Sequence, residues 1–264
     1  MKTRAYLIFC AMLLVLASYA LAQNNAAGGG GAPKPPQLDE LVMANRILAS
    51  EGVLDAYGHV SIRDERDPNH YLLARAIAAG SVTAADIITY DLDSNPINDT
   101  RASFSERFIH GQIYKTRPDV MAVVHFHAPE VVPFTVTGVP LKPLIHMAGF
   151  LPQVIPVFEI RKAGGLTDML VRSNELGKAL ADQLADKTLI LLRGHGAAVV
   201  GPNLHIATGR AYYTVANART QAQAMQLAGG IDKVTFLDPE EAKKAMDQDG
   251  FERGWNYWKL KQSK

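Results

Sequence analysis

The stretch VVHFHAPE, residues 123 to 130, places His125 and His127 one residue apart at the end of an apolar run. In a β-strand residues i and i+2 point to the same side, so the two imidazoles share a face and lie close enough to chelate one cation. Met121 and Val123, apolar and on that same face, set the pair at the floor of something buried. Imidazole nitrogen suits zinc, manganese and iron, and a catalytic zinc site takes three protein ligands and keeps a fourth position open. A third ligand must then come from another element. LLRGHGAAVVG is its natural source, because Gly194 and Gly196 flank His195 at a strand end. Paired glycines suit a backbone that turns at positive φ or lies close against a neighbour. A His-x-His pair alone is more often two structural or surface histidines, and the glycine-flanked His195 adds modest weight to the metal reading.

Glu106 is the next residue with chemistry in it. The segment SERFIHGQIYKT predicts a helix from Ser105 that Pro118 ends, with Glu106 in its first turn and His110 one turn on along the same face. Only the short link RPDV separates this helix from the His-x-His strand, so the two must pack nearly antiparallel, bringing the helix start towards the histidines. A carboxylate there serves as a general base beside a metal, or as a fourth ligand while substrate is absent. The plainer role is to complement the helix dipole. Glu130, close behind His127, would suit the metal site of a cupin; that fold is all-β, and the helical segments of this chain exclude it.

Several elements must position these groups. PPQLDELVMANRILASEG predicts a helix with Leu38, Leu41, Val42, Ile47 and Leu48 on one stripe, closed by Gly52. GHVSIR and HYLLA are short strands, Thr83 caps a single turn, and IITYDLDSNPI is strand, turn, strand. Pro129 is expected to open a short helix at its first position, and Leu151 to Phe158 to form another strand. Ser173 caps NELGKALADQL, KTLILLRGHGAAVVG is a strand pair around a tight turn, and residues 203–228 form a long helix closed by Gly229 and Gly230. VTFLD is expected as a last strand, followed by a helix with Asp238 and Pro239 at its start. GWNYW, with Trp255, Tyr257 and Trp258, docks the C-terminus, while His70 and His205 are expected at the surface. Strands and helices interleave without a strict βαβ rhythm. The class is α/β: a single three-layer α/β/α domain with a mostly antiparallel central sheet.

The chain has 264 residues, 48% of them hydrophobic and 20% charged, the composition of a globular protein. Its first residues stand apart. Lys2 and Arg4 precede an apolar run, and Ala20-Leu21-Ala22 offers a small-x-small cleavage site, so residues 1–22 have the order of a secretory signal peptide and imply a periplasmic or secreted protein. Cleavage removes Cys10, the single cysteine, which suits an oxidising compartment. Residues 23–36, QNNAAGGGGAPKPP, form a Gly/Pro-rich disordered spacer, and residues 37–264 are long enough for one large domain. With a formal charge of only +1 and no run of lysine or arginine, neither nucleic acid nor, once the signal is cleaved, a membrane is an expected partner.

The ordered motifs SERFIHGQIYKTRPDVMAVVHFHAPEV, LLRGHGAAVVG and, upstream, YGHVSIRD resemble the class II aldolase/adducin family over residues 38 to 226. The resemblance implies a single α/β/α domain, assembled as a homotetramer with active sites between subunits. It implies His125, His127 and His195 as ligands to one divalent ion per subunit, zinc first and manganese or iron as alternatives, and Glu106 as the catalytic acid/base. The family's sugar-phosphate aldolases hold a phosphate with a Gly-Asn pair, a Thr-Pro-Ser/Thr-Gly turn and a Ser-Ser pair. Here those stations are Gly58-His59, the LLARAIAAG region with Arg75, and Phe104-Ser105. Too few donors remain for a phosphate dianion, so His59, Arg75 and Ser105 become the candidate substrate-binding residues, and an arginine beside an aromatic suits a carboxylate on a flat ligand. His146 falls where the family places residues of the site rim. The activity implied is a metal-dependent carbon–carbon lyase of aldolase type, working through a metal-stabilised enolate on a small non-phosphorylated hydroxy or oxo acid. The alternatives are a decarboxylase of a hydroxylated aromatic carboxylate and, in a different class, a non-catalytic adducin-like interaction module.

Overall fold

In the computed structural model, which describes residues 37–246 and 250–263, the β-rich segments become the strands β1 His59–Arg63, β2 His70–Ala74, β3 Ile87–Asp91, β4 Ala122–Phe126, β5 Val157–Phe158, β6 Leu189–Leu192 and β7 Gly196–Gly201. They form one sheet in the order β3-β2-β1-β4-β7-β6-β5, antiparallel throughout except for the parallel β5–β6 pair. The helices are α1 Gln37–Ser50, α2 Arg107–Thr116, α3 Val132–Val136, α4 Ile160–Gly164, α5 Asn174–Leu184, α6 Leu204–Ala228, α7 Pro239–Met246 and α8 Glu252–Gln262. The signal-peptide and spacer expectations for residues 1–22 and 23–36 lie outside the described residues. Among the described residues, no helix is long and apolar enough to cross a membrane.

Apolar residues fill both faces of the central strands, so the sheet is buried on both sides. Val60, Val124, Phe126 and Val199 pack on one side against Leu41, Ile47 and Leu48 of α1 and Leu204 and Ala207 of α6. Val123, Ala198 and Val200 pack on the other against Ile109 and Ile113 of α2 and Leu180 and Leu184 of α5. This is the three-layer α/β/α arrangement expected from the sequence. Because side chains alternate, His125 shares the α2 side with Val123, and so do His59 and Ser61 of β1; His59 is the register partner of His125.

Local chemistry sets the ends of the elements. Ser173 accepts from the Leu176 N–H at the start of α5, and Gly229 closes α6 in the left-handed conformation. Thr83 donates both its N–H and its hydroxyl to Asp86 around the single turn 84–86. Five expectations change. Pro133, not Pro129, occupies the first turn of the short helix. Leu151–Phe158 yields only the two-residue β5, because it pairs only along β6. VTFLD makes a loop that meets its neighbour through Leu237 N–H to Pro143 O, and the return of β3 is the single bridge Tyr90–Pro96. His205 is no free surface group either: Trp255 stacks on its ring at 4.2 Å, and with the buried Trp258 it docks the C-terminal helix as GWNYW foreshadowed.

The two glycines around His195 divide the work anticipated for them. Gly194 turns at φ +61°, and Gly196 lies so close to β4 that a Cβ would stand 2.1 Å from the Phe126 carbonyl oxygen. Backbone cannot step aside as a flexible side chain can. Gly196→Ala should therefore lower the unfolding free energy by about 1–3 kcal/mol, measured by urea denaturation of the purified protein, whereas a loss below a few tenths would mean that β4 and β7 separate freely here.

Candidate metal centre

Four side chains from three places in the chain meet at one end of the sheet. His125 is the penultimate residue of β4, and His127 follows the strand's end. Antiparallel pairing of β4 with β7, Phe126 opposite Ala197, brings the β6–β7 turn alongside, and with it His195. Glu106 is the residue before α2, at its cap position rather than inside the first turn, and it is buried. Their ligand atoms lie within 4.8 Å of one another. His125 Nε2 is 3.0 Å from His127 Nε2 and 3.4 Å from Glu106 Oε2, and His195 Nε2 is 3.2 Å from the same oxygen. For an ion with ligands at about 2.0–2.1 Å, a tetrahedron has edges of about 3.3 Å, so these separations fit a single cation.

The outer nitrogens fix the imidazoles. His125 Nδ1 meets the Ala197 carbonyl at 3.1 Å, His195 Nδ1 the Met169 carbonyl at 3.2 Å, and His127 Nδ1 the Asp55 carboxylate at 3.1 Å. A carbonyl or an ionised carboxylate only accepts, so each Nδ1 carries the proton and each Nε2 turns a lone pair to the centre. In that tautomer His125 and His127 cannot hydrogen-bond to each other across 3.0 Å, yet both can donate to a shared cation. The donor set therefore fits one divalent ion.

Charge follows the same logic. Burial pushes the Glu106 carboxyl up, but its facing contacts with His125 and His195 overcome this and hold it well below the usual carboxylate range, an attraction that a cation supplies once both Nε2 atoms present lone pairs. Its other oxygen accepts from the Val171 N–H at 2.9 Å. Burial and the neighbouring His125 depress His127, keeping it neutral. At His195 burial works downward, and contact with Glu106 outweighs it and raises the proton affinity. A cation binding there displaces a proton.

Asp55 has no counterpart in the sequence expectations. It sits in the loop before β1, where its Oδ1 also accepts from the Tyr57 and Gly58 N–H groups at 2.9 and 2.8 Å. The visible signal was an Asp three residues before Gly58, a local turn pattern that carries no hint of a histidine 72 positions on.

A cavity of about 250 Å³ opens over the cluster, lined by Tyr57, His59, Phe104, Ser105 and Leu170, with Glu106, His127 and His195 exposed to it. Two of the three substrate candidates, His59 and Ser105, are therefore at the cavity. Arg75 is not among its lining residues; its Nε is bound to Asp86 at 2.7 Å, because the backbone of the two residues also pairs there. His146 is likewise absent from this rim and lines a separate cavity beside Met147, Tyr213 and Tyr257. Arg63 donates to the carbonyls of Pro68, Tyr114, Val120 and Arg117, so it buttresses the end of β1 rather than facing the cavity.

The Class II Aldolase and Adducin N-terminal domain matches residues 39–222. Decarboxylase tropJ of Talaromyces stipitatus is 36% identical over 235 residues, which cover 80% of this chain and 88% of that protein. The 3,4-dihydroxyphthalate decarboxylase of Arthrobacter keyseri is 28% identical, over 77% of this chain and 84% of its own. Among solved structures, an aldolase II superfamily protein from Pseudomonas syringae shares the fold with a TM-score of 0.73 at 20% identity, covering 89% of this chain and 96% of that one.

Asp55→Ala leaves His127 Nδ1 without its acceptor, and divalent-ion affinity should fall about 10–100-fold in a chelator competition. Unchanged affinity would show that Asp55 does not orient the ligand. In the unaltered protein, ion occupancy should fall as pH drops through the raised His195 value, since below it a proton competes for Nε2; occupancy that is flat from pH 8 to 5 would contradict this.

Proposed function

The chain belongs to the class II aldolase and adducin family, and from that premise we propose that it is a divalent-metal-dependent carbon–carbon lyase that decarboxylates a small, non-phosphorylated hydroxylated aromatic acid. The observation that carries the proposal is the convergence of three Nε2 lone pairs and the Glu106 carboxylate beneath a cavity. His125, His127 and His195 would hold the ion, for which zinc is favoured by the compact nitrogen-rich set. When bound, the ion supplies Lewis-acid chemistry, polarising substrate oxygen and offsetting the negative charge that develops as the carbon–carbon bond breaks.

The remaining work falls to the chain. Glu106 is ionised and has one oxygen pinned by the Val171 N–H, so Oε2 is the working atom. Its low proton affinity rests on contacts with His125 and His195. Oε2 takes the proton of the substrate hydroxyl. The bond to the carboxyl carbon breaks, CO₂ leaves without the bonding pair, and that pair stays on the substrate carbon, to which Oε2 returns the proton. Phe104, Tyr57 and Leu170 give the cavity walls that suit a flat ring, and among the described residues neither arginine nor lysine lines it, a set poorer in cationic donors than a phosphate dianion wants. Two relatives named as decarboxylases, one acting on a dihydroxyphthalate, support decarboxylation over the aldol cleavage that led the sequence expectation.

The proposal extends to assembly and location. A homotetramer with a neighbouring subunit over the site rests on the family membership, and Tyr57, exposed at the cavity, is placed to meet such a neighbour. Export to the periplasm or outside the cell rests on the character of residues 1–22.

Purified protein should retain about one divalent ion per chain, and His127→Ala should lose it; a wild type that takes up no ion under any loading ends the metal reading. Offered a hydroxybenzoate-type acid and, separately, a hydroxy-keto acid, the loaded protein should release CO₂ from the first rather than an aldehyde from the second. Glu106→Gln should keep the ion and lose turnover by about 10²–10⁴-fold. Turnover equal to wild type would remove Glu106 from its role.

A further inference from the structure

Behind the metal centre, on the same side of the sheet, β1 and α2 bury four polar side chains that the lyase chemistry leaves unused. His59, Ser61, His110 and Tyr114 are all at most 2% exposed. They form a continuous row: His59 Nδ1 lies 2.7 Å from His110 Nε2, His110 Nδ1 lies 2.6 Å from Ser61 Oγ, and Ser61 Oγ lies 2.7 Å from the Tyr114 hydroxyl. Three short hydrogen bonds among four groups, each with one mobile proton, permit two arrangements, in which every donor points towards His59 or every donor points away from it.

The far end decides between them. The Tyr114 phenol has one proton to donate and two acceptors within reach, Ser61 Oγ at 2.7 Å and the Met121 carbonyl at 3.5 Å. A contact of 3.5 Å is at the limit of a hydrogen bond, so the phenol gives its proton to Ser61. Ser61 must then donate to His110 Nδ1, and His110 Nε2–H to His59 Nδ1. His59 is left with its one proton on Nε2, and the residue is one of those that line the cavity. Burial supports the assignment, since it holds His110 down to about 3, too low for that ring to donate from both nitrogens, and pushes the Tyr114 phenol up, so that it keeps its proton. For the same reason the row is no proton wire: draining it towards substrate would leave a buried tyrosinate.

We propose that Tyr114, Ser61 and His110 are positioning residues that lock His59 as an Nε2–H donor into the cavity, making His59 the residue that selects substrates presenting an anionic or carbonyl oxygen at that point. The inference rests on the proposed lyase reading for the identity of the substrate, but not for the tautomer. A donor of fixed direction favours a carboxylate or phenolate oxygen and rejects an amine or amide N–H, which would meet it donor to donor.

The test uses the metal-loaded full chain. Nitrogen NMR on ¹⁵N-histidine-labelled protein, with His59 assigned by its disappearance in His59→Gln, should show Nε2 protonated and Nδ1 bare. In Tyr114→Phe the row loses its terminal donor, and the Nδ1–H form of His59 should appear. With salicylate as the probe acid, His59→Leu should weaken binding about tenfold or more, the worth of one hydrogen bond to a charged acceptor. His59→Gln, which keeps an N–H near the same point, should recover most of it. If the acid is turned over, the loss in Tyr114→Phe should fall on KM rather than kcat, with ion content unchanged. A wild-type His59 protonated on Nδ1, or salicylate binding to His59→Leu as tightly as to wild type, overturns the inference. A protein that binds the ion and shows the Nε2–H tautomer but turns over no acid would instead overturn the lyase reading alone.

Discussion

Four electron-pair donors held within 4.8 Å of one another, three imidazole nitrogens and a carboxylate, repel unless a positive charge stands between them. Much of the surrounding structure maintains that arrangement. The sheet places His125 and His127 by strand alternation, the β6–β7 turn adds His195, and the backbone carbonyls of Ala197 and Met169 prevent two of the rings from turning their protonated nitrogens inward. Asp55 does the same for the third ring with a full charge, and its own position is set by two backbone N–H groups. Rotating any one ring to relieve the repulsion would forfeit an outer hydrogen bond. The preference for a cation is thus built into the fold rather than into the four ligands alone.

The parts of this arrangement that were legible in the sequence are those governed by local periodicity. Two histidines at i and i+2 declare a shared face, glycines at 194 and 196 declare a turn and a close approach, and the helix following Ser105 carries Glu106 towards the strand end. Asp55 was not legible, because its partner is 72 residues away and its sequence neighbourhood shows only a turn. Arg75 misled for the opposite reason. Its place in the chain matched a substrate station, while its side chain found Asp86 eleven residues on, across a backbone pairing that sequence does not display. VTFLD has the composition of a strand but finds no strand partner, since both edges of the sheet, β3 and β5, lie elsewhere.

Helix α2 connects the centre to the buried row behind it. Glu106, His110 and Tyr114 are spaced four apart, so they lie along one stripe, while Ile109 and Ile113 on the neighbouring stripe anchor the helix in the core. One end of the polar stripe supplies the charged carboxylate beside the metal ligands, and its next two turns supply neutral groups to β1. Charge is kept at the front, where a cation can balance it, and neutrality behind, where nothing could. A lysine or arginine at the cavity would bind an acid more strongly, yet it would also add a positive charge next to the ion that His125, His127 and His195 are arranged to hold. A neutral imidazole of fixed hydrogen-bond direction would recognise an acid's oxygen without that conflict, which gives a physical reason for His59 and Ser105, among the described residues, to line the cavity where no cationic one does.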